Sequence, residues 1–340
     1  MKRMGRRTAL FMHGMWRGMQ LLCSAARQDI RDGCLGQCFP PRPTVVQFLV
    51  NDIRGSRSTG SHAGQPRQDQ EITLAELRHI MADPLFGDVR HVDVTGGEPA
   101  LRTDLPEMGR VLIDSLPGLK SMQVTTGPLH SRTAIERIMA LAQVTRAADI
   151  RLGVSVSLDG IGDDHDRDRV IEGSFVSADE VTRTLRENGL PVSVNCTLTP
   201  LNCHGADDVM LWAEQNGIQE WVFRLRVDVK RFCNECHGQQ DVFTPEQRFH
   251  LSMFFDKLAR HPRVDLIRRM FYRSLVNQIA FGMPRRSACT WQTDGVTLDM
   301  RGNIGYCPPQ SPVLGSALQR SAWQMFREGI PERRRIVQQH

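Results

Sequence analysis

No run of apolar residues in this chain approaches the roughly 18 that a membrane-spanning helix needs, so a transmembrane class is excluded by the sequence pattern. Charge of one sign is also scarce: the net charge is only +5 over 340 residues. The densest basic runs, KRMGRR and ERRR, lie near the two ends, with no basic stripe interleaved with aromatics, so there is no specific nucleic-acid signal. A secretory signal is missing too. MKRMGRR opens like the charged start of one, but TALFMHGMWRGMQ is broken by His13 and Arg17 and has no cleavage box, which makes a cytoplasmic location the expectation. Nine cysteines, an odd number, do not read as a disulfide framework; they point to metal, cluster or reactive-thiol roles.

What remains is a soluble, globular composition, 40% hydrophobic with mean hydropathy −0.33, long enough for one large domain or two. Residues 1–43 show no periodicity and end in Phe39-Pro40-Pro41-Arg42-Pro43, a leader in which Cys34 and Cys38 read as structural or incidental. From Thr44 a regular alternation begins. Apolar, β-branched runs predict strands at 44–50, 89–94, 119–125, 150–157, 191–198 and 219–226, with amphipathic helices at about 72–82, 103–115, 131–144, 177–189 and 205–216. Six strand–helix units mean an α/β fold with a parallel sheet, either a barrel or a doubly wound sheet.

The pattern changes after Val227. A polar insert with Cys233 and Cys236 leads to Thr244-Pro245-Glu246-Gln247, a capping box, then helices to about 260 and over 264–281. Residues 289–309, CTWQTDGVTLDMRGNIGYCPP, predict a β-hairpin turning at Arg301-Gly302-Asn303 with a cysteine at each end. The expected organisation is a leader (1–43), a barrel (44–230) and a C-terminal helical linker with a small extension (231–340).

One stretch stands apart chemically: HVDVTGGEPALRTDL, 91–105. Its glycines allow close backbone approach and its proline fixes the exit, at the carboxyl end of a parallel strand where βα enzymes build their sites. By itself it is equally an ordinary βα turn, or the loop of an unrelated barrel enzyme with Glu98 as general base.

Together these features resemble the radical S-adenosylmethionine (radical SAM) superfamily over residues 44–230, which implies a partial (βα)6 TIM-like barrel. On that resemblance Gly96, Gly97, Glu98 and Pro99 belong to the loop that holds the methionine amino group of S-adenosylmethionine. SVSLDG (155–160), followed by Asp164, His165, Asp166 and Gly173-Ser174-Phe175, is similar to the family's fourth-strand segment and turns Ser157 toward the cofactor. Thr125 lies in VTTG, a third-strand ending without the usual asparagine. Arg224 and Arg226 end the sixth strand, as partners for the cofactor carboxylate or as surface charges.

The resemblance also implies a [4Fe–4S] cluster bound by CxxxCxxC after the first strand. In the matching register those positions are Arg54, Ser58 and Ser61, and neither a guanidinium nor a hydroxyl substitutes for a soft, anionic thiolate. A natural pseudoenzyme, an altered active parent and a different register with another cysteine set all remain open. Cys289, Gly302 and Cys307 fit the opening of the auxiliary-cluster extensions called twitch and SPASM domains, yet no cysteine follows Cys307, so the extension reads as truncated. Cys233, Cys236, Cys289 and Cys307 could form one auxiliary site for an iron–sulfur cluster or zinc, or two pairs never brought together. Cys196 and Cys203 read as packing. The implied substrate is a peptide or small molecule, with an electron donor as partner.

Overall fold

The computed structural model describes residues 42–52, 71–127, 130–226, 242–283, 294–307 and 311–333. Six parallel strands form in the expected order: β1 (Val45–Leu49), β2 (His91–Thr95), β3 (Ser121–Thr126), β4 (Arg151–Ser157), β5 (Val192–Leu198) and β6 (Glu220–Leu225). The six are joined in turn through α1 (Leu74–Met81), α2 (Leu105–Ser115), α3 (Ser131–Ala147), the pair α4 (Asp163–Arg169) and α5 (Ser174–Glu187), and α6 (Ala206–Gln215). The sheet is open. Its order is β6-β5-β4-β3-β2-β1-β7-β8-β9, the six-unit partial barrel with further strands added beside β1.

Those further strands come from the C-terminal region. The hairpin forms as β7 (Gly295–Leu298) and β8 (Asn303–Gly305), antiparallel, with Gly302 at φ +80° in the turn, a conformation that suits glycine. β7 lies parallel to β1, and the short β9 (Gly315–Ser316) closes the edge. One sheet therefore runs through both the barrel and the C-terminal region. The helices α7 (Pro245–Arg260) and α8 (Leu266–Phe281) flank it; α7 begins at the expected capping box of Thr244 with Gln247. A further helix, α9 (Ala322–Glu328), is anchored by Asp83, whose carboxylate accepts from the backbone N–H of Ala322 and Trp323 and the hydroxyl of Ser321. Among the described residues no helix is long and apolar enough to cross a membrane.

Strand alternation sorts the side chains onto two unlike faces. Val46, Phe48, Val92, Val94, Val124, Val154 and Phe223 point outward against the helices and are fully or almost fully buried. The opposite, concave face carries Gln47, Asp93, Gln123, Ser155, Ser193 and Asn195. An eight-stranded barrel fills its interior with branched apolar chains; this one presents hydrogen-bonding groups.

Candidate functional site

The TGGEP loop is fixed from three directions. After β2, Gly96 takes φ +141°, and a Cβ there would stand 2.5 Å from the carbonyl oxygen of Asn51. That carbonyl accepts from the Gly97 N–H at 2.9 Å. The Asn51 side chain, fully buried, completes the join: its Oδ1 accepts from the Glu98 N–H at 3.0 Å and its Nδ2 donates to the Glu98 carbonyl at 2.9 Å. The loop is thus bonded directly to the end of β1.

Glu98 ties it to β3 as well. Its Oε1 accepts from the Thr126 hydroxyl at 2.6 Å and the Ala100 N–H at 3.0 Å, and its Oε2 from the Gly127 N–H at 2.8 Å. Burial raises its pKa above the usual carboxylate range, opposed by these hydrogen bonds and by the charge of Arg169. A freely offered carboxylate, which the amino-group and general-base readings of Glu98 both assume, is not what the fold presents: both oxygens are engaged within the protein, and the residue is 2% exposed. The acid orders the loop, and the N–H groups of Gly97 and Glu98 are likewise engaged, by Asn51.

Arg102, just beyond, braces the neighbouring chain. Its guanidinium donates to the carbonyls of Val50 (3.2 Å) and Ile72 (3.0 Å) and pairs with Asp104 at 2.8 Å and Glu71 at 3.5 Å. One side chain so holds both flanks of segment 53–70.

The end of β4 carries a second polar knot. Asp159 accepts from the Thr197 N–H at 2.8 Å and pairs with Arg169 at 2.7 Å. His165, buried, accepts from the Asp159 N–H through Nδ1 at 3.0 Å; burial foremost, then Arg169, pushes its pKa down to about 4, so the ring is neutral. Asp166 accepts from the N–H groups of Gly173 and Phe175 and the hydroxyl of Ser174, organising the start of α5. Asp168 is pushed up to about 6 by burial and by Asp159. Asp159, Asp168 and Arg169 form a charged group at the mouth of the sheet that the sequence reading passed over. The DRDR run carried the signal but resembles a solvated surface; only the fold turns Arg169 inward, where its guanidinium lies 2.7 Å from where a Cβ on Gly127 would sit.

The remaining expected positions are dispersed. Thr125 faces the concave side and donates to Asp93 at 3.4 Å; Ser157 is half-buried at the end of β4. Arg224 and Arg226 are exposed, Arg224 near the Thr197 hydroxyl at 3.4 Å, and the Arg226 N–H donates to the Leu198 carbonyl. Cys307 is half-buried. Its three expected companions Cys233, Cys236 and Cys289, the cluster positions Arg54, Ser58 and Ser61, and Cys34 and Cys38 all lie outside the described residues. Among the described residues no group of three or more side chains could hold a metal. Cys196 and Cys203 are buried, and burial raises both thiols.

No protein-family profile matches the chain. Curated relatives do match. GTP 3',8-cyclase of Rhodococcus opacus is 27% identical over 185 residues, 47% of this chain and 50% of that protein. Fe-coproporphyrin III synthase of Methanosarcina barkeri is 32% identical over 135 residues, 39% of this chain and 31% of that protein. AdoMet-dependent heme synthase of Nitratidesulfovibrio vulgaris is 28% identical over 163 residues, 48% and 41% of the two chains. The match spans half or less of each relative's length. Among solved structures, anSMEcpe with bound AdoMet superposes with a TM-score of 0.58 at 14% identity, covering 84% of this chain and 80% of that one. SuiB of Streptococcus suis bound to S-adenosylmethionine gives 0.56 at 11% identity, covering 84% and 65%; it has also been solved with its precursor peptide SuiA. These relatives and neighbours are radical SAM proteins. The chain is similar in sequence to these radical SAM proteins and shares their fold. Within a radical SAM fold, the TGGEP loop and the ends of β3 to β6 occupy the carboxyl-terminal rim of the sheet, where βα folds gather ligands.

Proposed function

We propose that this radical SAM chain retains a shelf for S-adenosylmethionine and a concave face for a peptide or small-molecule substrate, and that as written it does not perform the radical step. The observation that carries this reading is the donor set: Arg54, Ser58 and Ser61 stand at the three positions where the family's [4Fe–4S] cluster requires thiolates. Those residues do not fit an iron–sulfur cluster. When a cluster is present, the family's chemistry is reductive cleavage of S-adenosylmethionine to a 5′-deoxyadenosyl radical, supplied with electrons by an external donor. Nothing in the site described above substitutes for that ligand set.

The shelf itself suits the cofactor's polar end. Within the loop of Gly96, Gly97, Glu98 and Pro99, the carbonyls of Gly96 and Gly97 would take the amino group, with Thr125 and Ser157 beside it on the concave face and Arg224 and Arg226 as cations for the carboxylate. The alternative is a non-catalytic protein that binds S-adenosylmethionine or a partner and uses the barrel as a scaffold. Cys233, Cys236, Cys289 and Cys307 would in either case constitute a separate auxiliary site in a twitch- or SPASM-like extension, for zinc or an iron–sulfur cluster.

Equilibrium dialysis with labelled S-adenosylmethionine, beside a variant carrying Arg54→Cys, Ser58→Cys and Ser61→Cys, tests this. The native chain is expected to bind the cofactor without turnover, and the triple variant to take up a cluster on anaerobic reconstitution. Failure of the triple variant to bind iron would refute the register.

A further inference from the structure

The concave face carries information about what it holds. Thr297, Gln47, Asp93 and Gln123 lie side by side in one row across β7, β1, β2 and β3. Gln47 donates to Asp93 at 2.9 Å, and Thr125, one inward position further along β3, donates to the other Asp93 oxygen at 3.4 Å. Two oxygens on this face have no protein partner: Thr297 Oγ1 and Asn195 Oδ1, on residues only 6% and 9% exposed. A buried polar atom left unpaired opposes folding and calls for a reason; in a ligand-binding face the reason is a group that the ligand brings. Asn195 Oδ1 can only accept, and the Asp93 carboxylate likewise. The inward positions of β1 to β7, among the described residues, hold no Phe, Trp or Tyr, although Phe48, Trp221 and Phe223 lie on the outward face of the same strands. A flat tetrapyrrole or a nucleobase would find no Phe, Trp or Tyr ring to stack on among these described positions.

We infer that the concave face recognises a polar, non-aromatic substrate group offering N–H or O–H donors, such as a peptide's amide or polar side chain, read by Thr297 Oγ1 in the Asp93 row and by Asn195 Oδ1 on β5. This rests on the reading of the chain as a radical SAM protein only for the substrate's location; the chemical class comes from the residues. Thr297 stands outside the six barrel strands, so the C-terminal hairpin supplies part of the recognition surface.

Calorimetry on the full chain with S-adenosylmethionine present tests the inference, using Ac-Gly-Asn-Gly-NH2, Ac-Gly-Leu-Gly-NH2, coproporphyrin III and GTP as probes. The asparagine peptide is expected to bind at least about tenfold more tightly than the leucine peptide, and Thr297→Val and Asn195→Leu each to remove most of that difference. A merely structural hydroxyl would make Thr297→Val less stable; here its melting temperature is expected to stay level or rise, because an unpaired oxygen is removed. Tighter binding of coproporphyrin III or GTP, no binding of either peptide, or unchanged discrimination in the variants would overturn the inference. Measured S-adenosylmethionine affinity separates the two levels: intact cofactor binding with no peptide discrimination sinks the substrate class alone, whereas absent cofactor binding sinks the proposed shelf as well.

Discussion

Glu98 illustrates how a residue marked by its motif can have its chemistry turned inward. Its carboxylate takes three donors, two of them backbone N–H groups. Glu98→Gln replaces one acceptor oxygen with an amide that also donates, and it meets a donor whichever way it turns. The expected loss is about 2 kcal/mol in urea unfolding, with the volume unchanged. His165 and Asp168 make a second case, in which two titrations oppose each other. His165 is held neutral with its pKa at about 4, so its contribution is full above the unfolded value near 6.5 and is lost as pH falls from there toward 4, by about 3 kcal/mol at most. Asp168 runs the other way: raised to about 6, it makes the fold more stable as pH falls through 6 toward its ordinary value of 3.8. Asp168→Asn removes only the compensating gain. The variant should lose stability more steeply than the native chain between pH 6 and 4 in denaturant titrations, and parallel curves would contradict the assignment. Neither the attachment of Glu98 nor the opposed pair was legible from the residues alone, because the first depends on donors from the end of β3 and the second on burial beside Asp159 and Arg169.

At the scale of elements, local signals carried most of the order. Six apolar runs became six parallel strands, and the boxes at Thr73 and Thr244 start their helices with both reciprocal hydrogen bonds. What escaped was α4, whose seven residues DDHDRDR have no apolar period; it is placed by the buried His165 and by the Asp166 carboxylate. The TGGEP loop was legible as a glycine-dependent turn, but its attachment to Asn51 was not. Gly96→Ala should destabilise the fold by about 3 kcal/mol, since φ +141° is strained for alanine and its Cβ would sit 2.5 Å from the Asn51 oxygen. Arg102→Met leaves Glu71 and Asp104 without their cation and frees the carbonyls of Val50 and Ile72. A loss of about 3–5 kcal/mol is expected for breaking so buried a set, read as a lower urea midpoint, together with faster proteolysis at the flanks of 53–70.

Over the whole molecule, the parallel α/β sheet was legible from the count of strand–helix units and its partial-barrel form from the family resemblance, while the continuity of the sheet into the C-terminal hairpin was not. Parallel pairing of β7 with β1 joins strands from opposite ends of the chain, and no local periodicity encodes such a partner. That pairing makes the C-terminal region part of the concave wall. The resemblance to the family is carried by motifs set on the carboxyl-terminal rim. On the proposed register, the radical step depends on three positions after β1, where the residues are Arg54, Ser58 and Ser61. The most direct measurement is therefore made on the native chain: iron and sulfide content after anaerobic reconstitution, paired with a reductant-dependent assay for 5′-deoxyadenosine. The account predicts no 5′-deoxyadenosine, and no iron beyond what is lost when Cys233, Cys236, Cys289 and Cys307 are replaced. Reductant-dependent 5′-deoxyadenosine from the native chain would contradict it.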